Sequence, residues 1–236
     1  MSASHGSHAR RLALFPPLAI GLLMLGGGLT PGGLDQPITG TRTALSELAI
    51  ASMHPGRVFV ASALIILGLA VLGVSFVVIA GLAGAPESGL ASAAAVIGAV
   101  GCLCGIVVNV LFGLDLAGSA AAAASRGDAA RILVSIGSAP GSIVFLAVYL
   151  GGVLVAGVLM GVALWRSRAV PRWVAVGFPA CLAVGAAAPP GVANVLLSLP
   201  FAVVMVLIAV RIWQERSPAP VTPSPARTGA VAAAPA

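Results

Sequence analysis

The chain has 236 residues, of which 59% are apolar and 8% charged, with 12 basic side chains set against 6 acidic ones. A soluble domain carries about 25% charged residues, so a water-soluble fold of this composition could not cover its surface. The basic residues are all arginine and none is interleaved with aromatic rings in the manner of single-strand binders. The positive balance is therefore read as membrane-flanking charge, and no nucleic-acid partner is expected.

In chain order, residues 1–11 form a polar, basic leader ending in Arg10 and Arg11, expected in the cytoplasm. An apolar run follows over 12–29. A cleaved signal peptide also begins this way, but the run carries Pro16 and Pro17 and ends in Gly26, Gly27 and Gly28 without a small-x-small cleavage pattern, so a retained span is expected. Further runs occupy 58–83, 91–117, 142–165, 173–188 and 192–213. Each approaches the roughly 20 residues that a helix needs to cross a bilayer. The fifth is the weakest, because Pro179 interrupts it and Pro189 and Pro190 close it; a kinked or short helix is expected there. Residues 214–236 turn to Pro, Ala, Ser and Thr and read as a disordered cytoplasmic tail.

The runs are continuous, not alternating, which excludes an outer-membrane barrel and leaves helices, whose backbone groups are satisfied within the run. The expected fold is an all-α polytopic transmembrane bundle of about six spans. Arg10, Arg11, Arg166, Arg168, Arg172, Arg211, Arg216 and Arg227 fall on one side of it, and Arg42, Arg57, Arg126 and Arg131 on the other. Because positive residues are retained inside, the sequence predicts a multi-pass protein of the plasma membrane with both termini cytoplasmic. Trp165, Trp173 and Trp213 sit at span ends beside Arg166, Arg168, Arg172 and Arg211. They read as interfacial anchors, not as part of a cofactor box.

Offsetting the chain so that Ala44 falls on Ala129 aligns 44–74 with 129–159. Both stretches pair a short amphipathic segment with a Pro-Gly step, Pro55-Gly56 and Pro140-Gly141, at the head of a returning span. In the first segment Leu45, Leu48, Ala49 and Met53 recur at helical spacing; in the second, Ile132, Leu133 and Ile136 share a face. Interfacial helices are expected after spans one and three, and a third version without a loop begins at Pro190-Gly191. The chain thus reads as three repeated hairpins, against the plainer reading that Pro-Gly recurs because proline is favoured at helix starts. Gly101 with Gly105, Gly157 with Gly161, and Ala147 with Gly151 are spaced for close helix packing.

Ionisable residues deep in lipid are the default functional candidates, and these spans hold none. Asn109 is the main polar residue inside the third span, and Asp115 follows near its end. Asp115 is expected to need a cationic partner against the helix dipole, with Arg57 and Arg131 in reach. Glu47, His54, Arg57, Asn109, Asp115 and Arg131 form the candidate ligand site near the outer face, with His54 as a titrating neighbour. The plainer alternative is a structural ion pair at the bundle mouth. Cys102 and Cys104 point to different helix faces and, with Cys181, read as small buried residues, so no metal site is expected. No cofactor is expected, and no catalytic motif is present.

At Ala163-Leu-Trp-Arg-Ser-Arg-Ala-Val-Pro-Arg-Trp173, with Met53-His-Pro-Gly-Arg57, the sequence resembles uncharacterised actinobacterial multi-pass membrane proteins that carry an L-W-R-S-x-x-x-P-R-W inner loop. The resemblance spans roughly 12–213. It implies a membrane bundle and no assigned activity. The function expected is non-enzymatic, a scaffold, partner subunit or membrane-stress component in contact with lipid and with a membrane-protein partner or further copies of itself. The alternative is a small permease with its site at the outer face between hairpins. A polar cavity reaching the bilayer midplane and lined by Asn109 would favour the permease, and a solid apolar core the scaffold.

Overall fold

The computed structural model describes residues 11–30, 41–84, 88–116, 118, 126–188 and 191–215. The leader up to Arg10 and the tail from Arg216 lie outside them, as do Pro189 and Pro190. Every regular element among the described residues is helical. Six apolar helices carry the six hydrophobic runs: α1 (Phe15–Leu29), α3 (Pro55–Ala80), α4 (Ser88–Asn109), α6 (Pro140–Ser167), α7 (Arg172–Ala187) and α8 (Val192–Glu215). Two short helices, α2 (Thr41–Met53) and α5 (Arg126–Ser138), precede α3 and α6. The chain is thus an all-α bundle suited to a membrane, with α3, α4, α6 and α8 long and apolar enough to cross. Helices α1 and α7 are shorter, at 15 and 16 residues.

Proline places the helix starts. Pro55 and Pro140 occupy the first turn of α3 and α6, where a missing N–H costs nothing. At the far end of α6, Arg168 adopts a left-handed conformation, φ 56°, which stops the helix in the manner of a C-terminal cap. Pro171 then leads into α7. The displacement between Thr41 and Arg126 is the same as that between Pro55 and Pro140, so both ends of α2 and the start of α3 recur in α5 and α6.

The six apolar helices close into a ring. Each packs on the next in the order α1, α3, α4, α6, α7, α8, and α8 returns to α1. Small residues set the spacing. Gly101 lets α4 meet the Val153 backbone of α6, a Cβ there falling 3.0 Å from the Val153 nitrogen, and Gly105 accommodates the Tyr149 ring. Gly161 holds α6 against α7, where a Cβ would lie 2.7 Å from the Ala175 carbonyl oxygen. The third spacing points elsewhere: Ala147 and Gly151 are exposed, and it is Gly152 that lies against Gly101.

Helices α2 and α5 pack on each other over one end of the ring. Their joint core takes Ala44, Leu48 and Ala51 from α2, Ala130 and Leu133 from α5, and Val58 and Leu116 from the bundle below. Leu48 and Leu133, equivalent under the sequence offset, are both buried. The apolar stripes differ from those expected, for Leu45, Met53 and Ile132 are exposed and alanines fill the contact. Close approach of two short helices favours small residues between them and leaves the larger apolar ones facing outward.

The opposite end carries Arg11, Arg166, Arg168, Arg172 and Arg211, all exposed, with Trp165, Trp173 and Trp213 around them. The Arg172 guanidinium lies over the Trp165 ring, 5.4 Å from its centroid. The two ends are called here the cap end and the arginine end. The exposed Val, Leu and Ile side chains between them, such as Leu67, Val77, Leu103 and Val155, form the surface that a bilayer covers.

Candidate functional site

Near the arginine end the ring is solid. Phe178 of α7 meets Phe76 of α3 edge-on, with centroids 6.1 Å apart, and Phe201 of α8 at 5.8 Å. All three rings are buried. A Cβ on Gly98 of α4 would fall 2.7 Å from the Phe76 ring, so the cluster fills the ring's centre up to the α4 backbone.

Toward the cap end the same centre is hollow. A cavity of about 90 Å³ lies among α1, α3, α6, α7 and α8, and its walls include Tyr149, Leu182, Asn194, Ser198 and Phe201. Phe201 joins it to the aromatic plug. No charged residue lines it. Asn194 and Ser198 stand one turn apart on α8 and share a face. Ser198 is 5% exposed, and among the described residues no group hydrogen-bonds its hydroxyl or the Asn194 side-chain amide. Both groups line the cavity and are open to a guest molecule that can hydrogen-bond to them.

The seam between α1 and α8 gives the cavity its cap-end wall. The Gly27 carbonyl would normally accept from the amide four residues on, but that residue is Pro31, which has no N–H. The Gly191 amide donates to it instead, at 2.9 Å. Gly191 reaches this position with φ +86°, a conformation glycine adopts without penalty. Asn194 lies flat on Gly27, in the space a Cβ would take. At the other last carbonyls of α1, Gly26 accepts from both the Thr30 amide, at 3.1 Å, and the Thr30 hydroxyl, at 3.0 Å, and Leu29 accepts from Arg57 Nε at 2.9 Å.

The residues expected to form the site do not gather. Glu47 sits on α2 and is half-buried; His54 is exposed just before α3. Arg57 is exposed and used by the Leu29 carbonyl. Arg131 approaches Asp128 at 4.0 Å, both strongly exposed. Asp115 is exposed, and no ion pair reaches it from any described residue. The expected pairing of Asp115 with Arg57 or Arg131 is therefore not made. The reason is geometric: the chain ahead of Asp115 is a π-helical turn, Val110–Leu114, and the carboxylate emerges into the open, where water satisfies it.

Asn109 behaves differently. It is buried just before that π-turn, donates through Nδ2 to the Gly105 carbonyl at 3.0 Å, and keeps Oδ1 without a partner. Ser62, fully buried on α3, also has an unpartnered hydroxyl, packed against Gly113 of the π-turn. Ser75 on the same helix, by contrast, donates to the Val71 carbonyl one turn back at 2.8 Å. Asn109 is not among the residues lining the central cavity.

Tyr149, Asn194 and Ser198, the cavity's hydroxyl and amide side chains, carry no charge and lie outside the expected site. The signal was present: Asn194 and Ser198 are the two polar residues, at one-turn spacing, in an otherwise apolar stretch, and Tyr149 is the one tyrosine of the chain. Among the described residues no group of three His, Cys, Asp or Glu side chains could hold a metal. Comparison with protein families, with curated proteins and with solved structures gives no match.

Proposed function

We propose that this chain is a small permease for an uncharged solute, non-enzymatic, with its binding site in the centre of the ring. The observation that carries this reading is the cavity itself, bounded on one side by the phenylalanine plug, with two polar groups on its wall that no described residue partners and with no charge. A charged solute in such a place would lose its hydration with no counter-charge to offset it, at a cost of several kcal/mol. A neutral solute loses far less and regains hydrogen bonds. Proline within α7 and α8, at Pro179 and Pro200, removes one ladder bond from each helix and gives both walls a point of bending. In the cell the arginine end would face the cytoplasm across the plasma membrane, in keeping with the resemblance of the Trp165–Trp173 loop to inner loops of actinobacterial multi-pass proteins. Reconstitution of the full chain into liposomes tests the reading. Influx of some small neutral solute above that of protein-free vesicles, without ionic current, is expected; vesicles as tight as the protein-free control to every neutral solute would end it.

A scaffold or partner-subunit role is favoured by a different observation. Helices α3 and α4 leave a shallow outward groove of about 750 Å³ walled by small residues, among them Gly81, Gly84, Ser88, Ser92 and Ala95. Such a face admits close approach of another helix. Detergent-solubilised protein that elutes as a complex held by this face would support that role.

A further inference from the structure

We infer that the solute is a small primary amide or urea, held by the side chains of Asn194 and Ser198. The inference rests on the permease reading and adds the chemical class.

Size is the first constraint. A protein cavity of about 150 Å³ holds benzene, with six heavy atoms. A cavity of about 90 Å³ in proportion holds about four, the size of acetamide or urea.

Hydrogen-bonding chemistry is the second. The Asn194 side chain offers a donor and an acceptor side by side, and neither is used by a described residue. An amide or urea presents the complementary pair, so two parallel hydrogen bonds form between the two carboxamide edges. The carbonyl or N–H left over on the guest meets the Ser198 hydroxyl, which can donate or accept. Alcohols of the same size satisfy only one edge of Asn194 at a time, and ions find no opposite charge. Leu182 and Phe201, on the same wall, offer an apolar surface to the methyl group of acetamide.

The position of Asn194 is fixed by the α1–α8 seam. Its side chain lies against Gly27, where any larger residue would occupy its place, and the Gly191–Gly27 hydrogen bond holds the start of α8 against α1. The amide is thereby presented to the cavity in one orientation.

The test uses the full chain in liposomes, with swelling followed by light scattering under gradients of acetamide, urea or glycerol, and with saturation-transfer NMR of acetamide on nanodisc-embedded protein. Acetamide and urea influx at least tenfold above glycerol influx is expected. Asn194→Leu should abolish the excess, and Ser198→Ala should reduce it about fivefold with an unchanged melting profile. Glycerol or water passing freely while acetamide and urea neither cross nor bind would overturn the amide class and leave the permease reading standing. No flux of any solute would remove both. Undiminished amide flux in Ser198→Ala and in a folded Asn194→Leu would overturn the assignment of the site.

Discussion

The Gly191 amide and the Gly27 carbonyl meet at 2.9 Å across the α8–α1 seam, and this bond stands where the ring closes on itself. The carbonyl is free because Pro31 follows it by four residues, and the amide reaches it because glycine accepts the positive φ. Helices α1 and α8, far apart in sequence, are thus joined through backbone atoms.

Gly27→Ala should therefore be costly. The added Cβ would fall on the Asn194 side chain, and overpacking of this kind costs about 1–3 kcal/mol. Thermal unfolding in detergent should show the loss, together with loss of solute flux. Gly21→Ala on the same helix, where a Cβ meets nothing within 4 Å, serves as the control and should leave both unchanged.

Phe178 is the keystone of the aromatic plug, touching Phe76 and Phe201 from two other helices. Phe178→Ala should destabilise by about 3–5 kcal/mol. It should also enlarge the cavity toward the arginine end, read as a rise in leak to larger neutral solutes in reconstituted vesicles. Phe178→Leu retains much of the volume and should leak less than the alanine variant.

Ser62 tests the second polar pocket. Its hydroxyl is buried without a protein partner, so Ser62→Ala should hold or raise stability, by up to about 1 kcal/mol. A drop in melting temperature would instead identify an ordered water between Ser62 and the π-turn as the missing partner.

Asp115→Ala and Arg131→Ala should each change stability by less than about 0.5 kcal/mol, because both side chains are exposed and exposed ion pairs contribute little. Neither should alter flux. A strong loss of transport in either variant would return the site to the cap-end cluster.

Arg57→Met should lower stability by about 1 kcal/mol, the net worth of one hydrogen bond to a helix-end carbonyl. Chemical denaturation of the solubilised protein would detect it. Asn at this position, too short to span to Leu29, should behave in the same way.

The sequence made the helices legible because their cause is local. Long uncharged runs admit no other backbone arrangement in lipid, and proline with glycine marks where each helix begins. The recurrence of a short helix followed by Pro-Gly was likewise readable, since Pro55 and Pro140 stand in the same relation to α2 and α5. The candidate site was not, because charge is the usual mark of a site in lipid and the charged residues described in this protein lie toward its two ends. Asn109 illustrates the limit: it is polar and buried as expected, yet it donates to Gly105 within its own helix and does not line the hollow.

By itself, then, the order of residues determined the helical elements, their apolar character and the gathering of arginine and tryptophan at one end, all of which follow from backbone satisfaction and transfer free energy along the chain. Only the tertiary structure decided that α8 returns to α1, that three phenylalanines fill one half of the ring, and that Asn194 and Ser198 are left facing an empty half. Those outcomes depend on which small residues meet across helices distant in sequence, and contact between helices is a property of three-dimensional packing that no local pattern encodes.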